Sequence, residues 1–514
     1  MCMVRAELQL PSIIADHMVL QQGEQVPLWG WTDPGAEVVV NFMGNKATTK
    51  ADDAGKWVVH LESLEATYQP AQLRIQSRKN GQRETRVIEN VVVGEVWVAG
   101  GQSNMWWRVK HCKNAEREIA QANDTLLRVW DANTHPKELG WRADTPQRTV
   151  KAEWASTSPK TVGGFPGPAF FFAQHLRKEL DVPVGIIHVA VLGSPIERFM
   201  KRSWIAEACP QVLKDLKKKQ EKYEKARKKY RNVKLPRWEK RKAKAEEKGE
   251  KVPKKPRRPK PPHNRPQVFF NGMIAPAAPY AVRGFLWWQG EANAGRAEQY
   301  TRLFPALIRG WRRIWNSPEA PFIFVGLHNY GPKQHEPVEK HAWPAMREAQ
   351  VKTMKRVNNS WMISSIDIKE DSEKDWQIHP HNKQLAGNRL FKAAMQTTYG
   401  GDANGLCPVL HKVKFKEHQV MITFRYVGDG LEAGESTDGT YPNGSPLKGF
   451  AVRGKKQEWH WANAEIADRR RVVITCPDVS SPIAVRYNWA SHPVGNLQSK
   501  AGLPALPLRA IKSQ

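Results

Sequence analysis

Cysteine is nearly absent. Cys2, Cys112, Cys209, Cys407 and Cys476 are scattered over 514 residues, odd in number and nowhere arranged as C-x-x-C. That usage argues against a thiolate metal cluster and against a disulfide-built scaffold. No apolar run approaches the roughly 20 residues that cross a bilayer, so no membrane partner is expected. Residues 1–6 lack an apolar h-region, and the chain as it stands is expected to carry no secretory signal. Acidic residues are outnumbered, 51 against 80 Lys and Arg, for a formal charge of +29. Such a charge points first to nucleic acid, but its distribution disfavours that partner. Residues 211–260 hold 23 Lys and Arg against 7 Asp and Glu, so more than half of the excess sits in one segment.

What is present divides into three parts. The 40% hydrophobic content suffices for several cores at this length. Residues 7–92 read as short β segments (18–20, 26–31, 38–42, 57–61) separated by Asp33-Pro34-Gly35 and Asp52-Asp53-Ala54-Gly55, which predicts an N-terminal β-sandwich. Residues 93–404 alternate apolar strands with helical stretches, the pattern of an α/β domain with a parallel sheet and ligands bound beyond the strand C-termini. Residues 405–514 return to β and predict a C-terminal β domain. The basic segment, 211–265, interrupts the α/β pattern and reads as an insertion. Leu216, Tyr223 and Tyr230 recur every seven residues in it, Pro236 is expected to end its first helix, and prolines from 253 to 262 make an extended tether. A solvated helical excursion is the plain reading, and a polyanion-binding arm the alternative.

The chemistry gathers around one stretch. Val96-Trp97-Val98-Ala99 leads into Gly100-Gly101 and then Gln102-Ser103-Asn104, so an apolar strand ends in two glycines that allow a sharp turn and present a serine where helix amides point outward. A serine nucleophile needs a base and donors for the oxyanion. Gly193 and Asn293 also follow predicted strands, so one crevice can collect them with Ser103. His379, in a loop before the helix-like run 382–390, is the candidate base.

The succession Gly101-Gln102-Ser103-Asn104-Met105, Gly193-Ser194-Pro195-Ile196-Glu197, Trp288-Gln289-Gly290-Glu291-Ala292-Asn293 and Ile378-His379-Pro380-His381-Asn382-Lys383-Gln384 resembles the sialate O-acetylesterase family of SGNH hydrolases. The resemblance implies a serine esterase that removes O-acetyl groups from sugars, with Ser103 as nucleophile, His379 as base, and the Ser103 and Gly193 amides and Asn293 as oxyanion hole. Gln102, Asn104, Gln289, Glu291 and Trp106 are expected to support the site or meet substrate. It implies no metal and no organic cofactor, a substrate that is an O-acetylated sugar or glycan, acidic ones included, and a periplasmic or secreted location. Acetylxylan or another polysaccharide is the alternative substrate, and a non-catalytic carbohydrate- or polyanion-binding protein on the same scaffold the alternative function. The chain departs from the family pattern at Val191-Leu192-Gly193-Ser194, where Trp-Gly-Gly-Thr is common, and at Ala292, commonly Ser. It also departs before the histidine, where Trp376 and Gln377 stand in place of an aspartate. Asp375 is the first candidate to orient His379, with Gln377, Asp371 and Asp367 as alternatives.

Overall fold

The computed structural model describes residues 7–133, 142–262, 265–337, 342–370, 372–401, 404–436, 441–455 and 458–512. The N-terminal strands are β1 (Val19–Gln21), β2 (Val26–Trp31), β3 (Glu37–Phe42), β4 (Asn45–Lys50), β5 (Lys56–Leu61), β6 (Thr67–Lys79) and β7 (Gln82–Gly101). β4, β3, β6 and β7 pair antiparallel, and β2 with β5 forms a separate antiparallel pair. Period-two side chains decide how they pack: Val38, Val40 and Phe42 of β3 and Trp57, Val59 and Leu61 of β5 are buried in one core, while their alternates are exposed or half-buried.

β7 links this region to the next without a break. It pairs antiparallel with β6 as far as Val93, and from Glu95 onward it lies parallel between two other strands. The expected boundary at 92/93 therefore falls inside a continuous twenty-residue strand. Arg128 ties the two regions together, donating to the carbonyls of His17 (2.9 Å) and Asn90 (2.6 Å).

The remaining strands of the central sheet are β8 (Leu127–Asp131), β9 (Trp154–Ser156), β10 (Val184–Ala190), β11 (Gly284–Trp288), β12 (Phe322–Val325) and β13 (Ser360–Ile363). Their order is β13-β12-β11-β7-β10-β8-β9, parallel except for the β8–β9 edge. The inner strands β10, β11 and β12, and β7 from Glu95 onward, are buried along their whole length because helices cover both faces. Val96 and Val98 join the core under the helices Ala297–Ile314 and Ala342–Arg356; Trp97 and Ala99 join the core under Gly167–Leu180 and Lys383–Thr398. The chain fills one flank through β10 and then crosses to β11, so the winding reverses at β7. In open α/β sheets the crevice outside such a reversal is where ligands bind.

The basic segment forms one long helical arm. Helix Pro210–Lys229 continues through a π-turn, Tyr230–Lys234, into helix Leu235–Glu247. Pro236 does not end it: Leu235 N–H already bonds five residues back to Tyr230, so the ladder has shifted where the proline, which lacks an N–H, enters. The proline-rich return runs beside the arm, with Trp238 Nε1 donating to Pro253 O at 2.7 Å.

The C-terminal region holds two four-stranded antiparallel sheets. One is ordered Val409–Lys416, Gln419–Arg425, Arg471–Thr475, Asn463–Ile466; the other Trp459–Trp461, Phe450–Arg453, Ala484–Tyr487, Leu508–Ile511. They share a core around Val420, Ile422, Phe450, Val472 and Val485. The buried Arg347 guanidinium fastens this region to the central sheet by donating to the carbonyls of Leu327 (2.7 Å), His328 (2.7 Å) and Ser491 (2.9 Å). Among the described residues no helix is long and apolar enough to cross a membrane, and the four described cysteines are buried and unpaired.

Candidate active site

Backbone packing at the end of β7 is what raises Ser103. Gly101 has φ of 136°, and a Cβ there would lie 2.2 Å from Trp288 O, so only glycine lets β7 close on β11 at this point. Gln102 N–H then donates to Trp288 O at 2.8 Å, and Ser103 opens the short helix Ser103–Trp106. The Ser103 amide has no acceptor among the described residues, as expected for a first-turn donor.

The residues flanking the serine hold the other loops. Gln102 Oε1 accepts from Ala292 N at 3.2 Å. Asn104 Nδ2 donates to Glu291 Oε1 (2.7 Å) and to Ile378 O (3.1 Å), and its Oδ1 accepts from Lys383 Nζ (2.6 Å). The neighbours of Ser103 and His379 are therefore directly hydrogen-bonded.

Two further donors stand at the ends of the neighbouring strands. Gly193, just beyond β10, has φ of 59°, is exposed, and its amide has no acceptor among the described residues. Asn293, beyond β11, is fixed in orientation: its Oδ1 accepts from Ile196 N (2.9 Å) and Gln289 Nε2 (2.7 Å), while Nδ2 gives one hydrogen to the buried Glu197 at 3.2 Å. One N–H of that amide remains for a ligand. Arg296 pairs with Glu197 and keeps its charge balanced.

His379 is held differently. Its ring is half-buried and stacked on Trp107, with centroids 4.6 Å apart and planes 24° from parallel. Among the described residues neither ring nitrogen has a hydrogen-bond partner. Asp375 is exposed and lies 3.9 Å from Lys369 Nζ. Gln377 directs its amide to His379 O (3.0 Å) and to His381 Nε2 (3.4 Å). Asp367 is paired in bidentate fashion with Arg389 (2.5 and 2.6 Å), and Asp371 lies outside the described residues. Among the described residues no carboxylate meets the imidazole. Burial, then the neighbouring Lys383 and His381 side chains, lower the His379 pKa to about 4, so the ring is neutral and able to accept a proton at pH 7.

Sequence reasoning missed three residues. Lys383 is completely buried, its Nζ 4.4 Å above the Trp288 ring and bonded to Asn104. Burial lowers its pKa to about 7, against the opposing pull of Cys112 and Glu291. Glu291 is raised, by burial first. The signal for Lys383 was its place in the His379 block, four residues on. Trp107, not Trp106, meets the histidine; Trp106 lies under the Arg108 guanidinium at 4.4 Å. His328, beyond β12, is fully buried with both ring nitrogens unpartnered among the described residues and is kept neutral by burial; nothing in its sequence context marked it. Trp287 and Trp288 are core residues with no exposure. Among the described residues no three His, Cys, Asp or Glu side chains are placed to hold a metal ion.

A parallel sheet covered by helices on both faces, with a serine at its switch point and polar loops from the adjoining strands around it, is the architecture of an SGNH-type hydrolase. The chain belongs to the sialic acid-specific acetylesterase family of carbohydrate esterases, whose model matches residues 93–234 and 264–396. The interval between the two matches lies within the basic segment. The fold is similar to that of a carbohydrate acetylesterase from Xanthomonas citri, 30% identical, with a TM-score of 0.77 over 98% of this chain and 99% of that one. The sequence is also similar to mouse sialate O-acetylesterase, 25% identical over 76% of this chain and 73% of the mouse protein. Human sialate O-acetylesterase is 23% identical over 81% and 76% respectively.

Proposed function

We propose that this protein is a serine esterase that removes O-acetyl groups from sugars. His379 takes the Ser103 proton as Oγ attacks the acetyl carbonyl. The oxyanion is received by the Ser103 and Gly193 amides and the free N–H of Asn293. As the intermediate collapses the imidazolium protonates the sugar oxygen of the breaking C–O bond, leaving an acetyl-serine; a water deprotonated by the same ring then attacks it, and the proton passes to Ser103 Oγ as acetate leaves. The observation that carries this reading is the linkage of four loops beyond the strand ends: Asn104 bonds Glu291 and the residue before His379, Asn293 bonds the loop that follows Gly193, and the Ser103 and Gly193 amides have no acceptor among the described residues. The family membership, and the names of the Xanthomonas citri and mammalian relatives, support sugar acetyl esters as substrates.

The test is hydrolysis of 4-nitrophenyl acetate and release of acetate from O-acetylated sugars by wild type and Ser103→Ala. Loss of both in the variant is expected; a variant as fast as wild type removes the proposal. A second reading, a non-catalytic carbohydrate-binding protein, is favoured by one observation, the absence of a carboxylate on His379 among the described residues. A binding protein would not react with a fluorophosphonate.

A further inference from the structure

The histidine loop does not end at the acetyl site. Trp376, three residues before His379, is 59% exposed, and its ring meets Tyr330 edge-on at 5.1 Å, Tyr330 being stacked in turn on Trp343 at 4.7 Å. Gly331 N–H donates to Asp375 O at 2.8 Å. Residues 330–335 therefore lie against the histidine loop on one side. On the other they are gripped by the C-terminal region. Tyr330 N–H donates to Ser491 O (3.2 Å), His492 Nδ1 bonds Gly331 O (2.8 Å), Gln334 N–H donates to His492 O (3.0 Å), and Trp461 Nε1 donates to His335 O (3.2 Å).

Where this loop meets the C-terminal strands there is an open cavity of about 580 Å³. Its walls combine Trp461 and Tyr441 with Gln334, Lys448, Asn463 and Glu465. Trp461 is 37% exposed although its indole N–H is bonded, so a fixed aromatic face is left open. Lys448 Nζ lies 5.3 Å from the Tyr441 ring centroid. Aromatic faces suit the apolar C–H face of a pyranose, and amides, a carboxylate and an ammonium suit its hydroxyls. Elsewhere among the described residues the large aromatic side chains at the crevice are core or half-covered. The exposed indoles Trp376 and Trp461 mark one path from His379 to this cavity.

We propose that the cavity is a distal subsite for the sugar chain of an O-acetylated polysaccharide whose acetylated unit lies at Ser103. This rests on the acetylesterase reading and goes beyond it by assigning a polymer, rather than a single terminal sugar, as substrate. The path along residues 376, 330–335 and 461 orients the chain, and binding energy gained far from the ester lowers KM for the polymer.

The test measures kcat and KM on partially acetylated xylan, glucomannan and pectin, on O-acetylated N-acetylneuraminic acid, and on 4-nitrophenyl acetate. At least one polymer is expected to give a higher kcat/KM than the monosaccharide. Trp461→Ala is expected to raise KM for that polymer about tenfold, the equivalent of one aromatic stacking contact, with kcat preserved. Tyr441→Ala, in the same cavity, should act in the same direction, and thermal melting checks that both variants are folded. The subsite is overturned if no polymer exceeds the monosaccharide, or if neither variant changes polymer KM. The underlying reading fails separately, if Ser103→Ala retains sugar deacetylation or if wild type releases acetate from no sugar ester.

Discussion

The two halves of the proposed catalytic pair are held in opposite ways. Ser103 sits where the backbone is fixed from every side: Gly101 pressed on Trp288, Gln102 bonded to Trp288 and Ala292, Asn104 bonded to Glu291, Ile378 and Lys383. His379 rests on one stacked indole, with neither ring nitrogen hydrogen-bonded among the described residues. The serine side is thus preorganised by the sheet, whereas the histidine side is placed by its loop's attachment to Asn104 and by Trp107. A carboxylate that fixes an imidazole supplies both orientation and charge; here stacking supplies the first, and the nearby Lys383 opposes the second.

Removing either partner gives the largest effect and makes the two sides equal. Ser103→Ala is expected to lower kcat on 4-nitrophenyl acetate by ~10⁴ or more, His379→Ala by a comparable factor, and the double variant to be no slower than the slower single one. Additive losses in the double variant would separate the two residues and break the pairing.

Lys383→Met, which frees Asn104 and lifts a cation from beside the ring, is expected to cost about 10²-fold in kcat, the scale of a misplaced reacting group. It also moves the pH profile. The base works as neutral imidazole, so activity falls as pH drops through the His379 pKa. In wild type that fall is expected near the value of about 4. Without the Lys383 cation the pKa rises toward the ordinary 6.5 and the fall begins at higher pH. An acid limb unmoved by the substitution would show that Lys383 does not act on the ring.

Smaller effects sharpen the contrast. Trp107→Ala removes the stack under His379 and is expected to lower kcat/KM about fivefold, from ~1 kcal/mol of ring contact. Asp375→Asn breaks only a loose 3.9 Å pair between an exposed carboxylate and Lys369 and is expected to change kcat by less than about twofold. A loss of orders of magnitude in Asp375→Asn would mean that the loop rearranges in solution to bring that carboxylate to the ring.

How far all this was legible from sequence follows the same division. The strands ending at Gly101, Ala190 and Trp288 could be read because a sheet buried on both faces gives unbroken apolar runs, and the positions of Ser103, Gly193 and Asn293 followed from them. β4 and β6 could not, since their exposed residues are polar and dilute the alternation. The continuity of β7 across 92/93 was hidden because its first half faces solvent and its second half does not. Pro236 reads as a stop in any helix, and only the preceding π-turn explains why the arm continues. At the site, spacing placed the loops beside one another but could not say which way Asp375 or Gln377 points, because that depends on Lys369 and the His379 carbonyl. The burial of Lys383 under helices remote in sequence was equally invisible.

The most direct measurement is fluorophosphonate labelling at neutral pH, followed by peptide mapping of wild type and His379→Ala. Modification at Ser103 in wild type, slowed by orders of magnitude in His379→Ala, is the predicted result. A wild-type protein labelled elsewhere or not at all, or a His379→Ala variant labelled at Ser103 as fast as wild type, would contradict the pairing of these two residues.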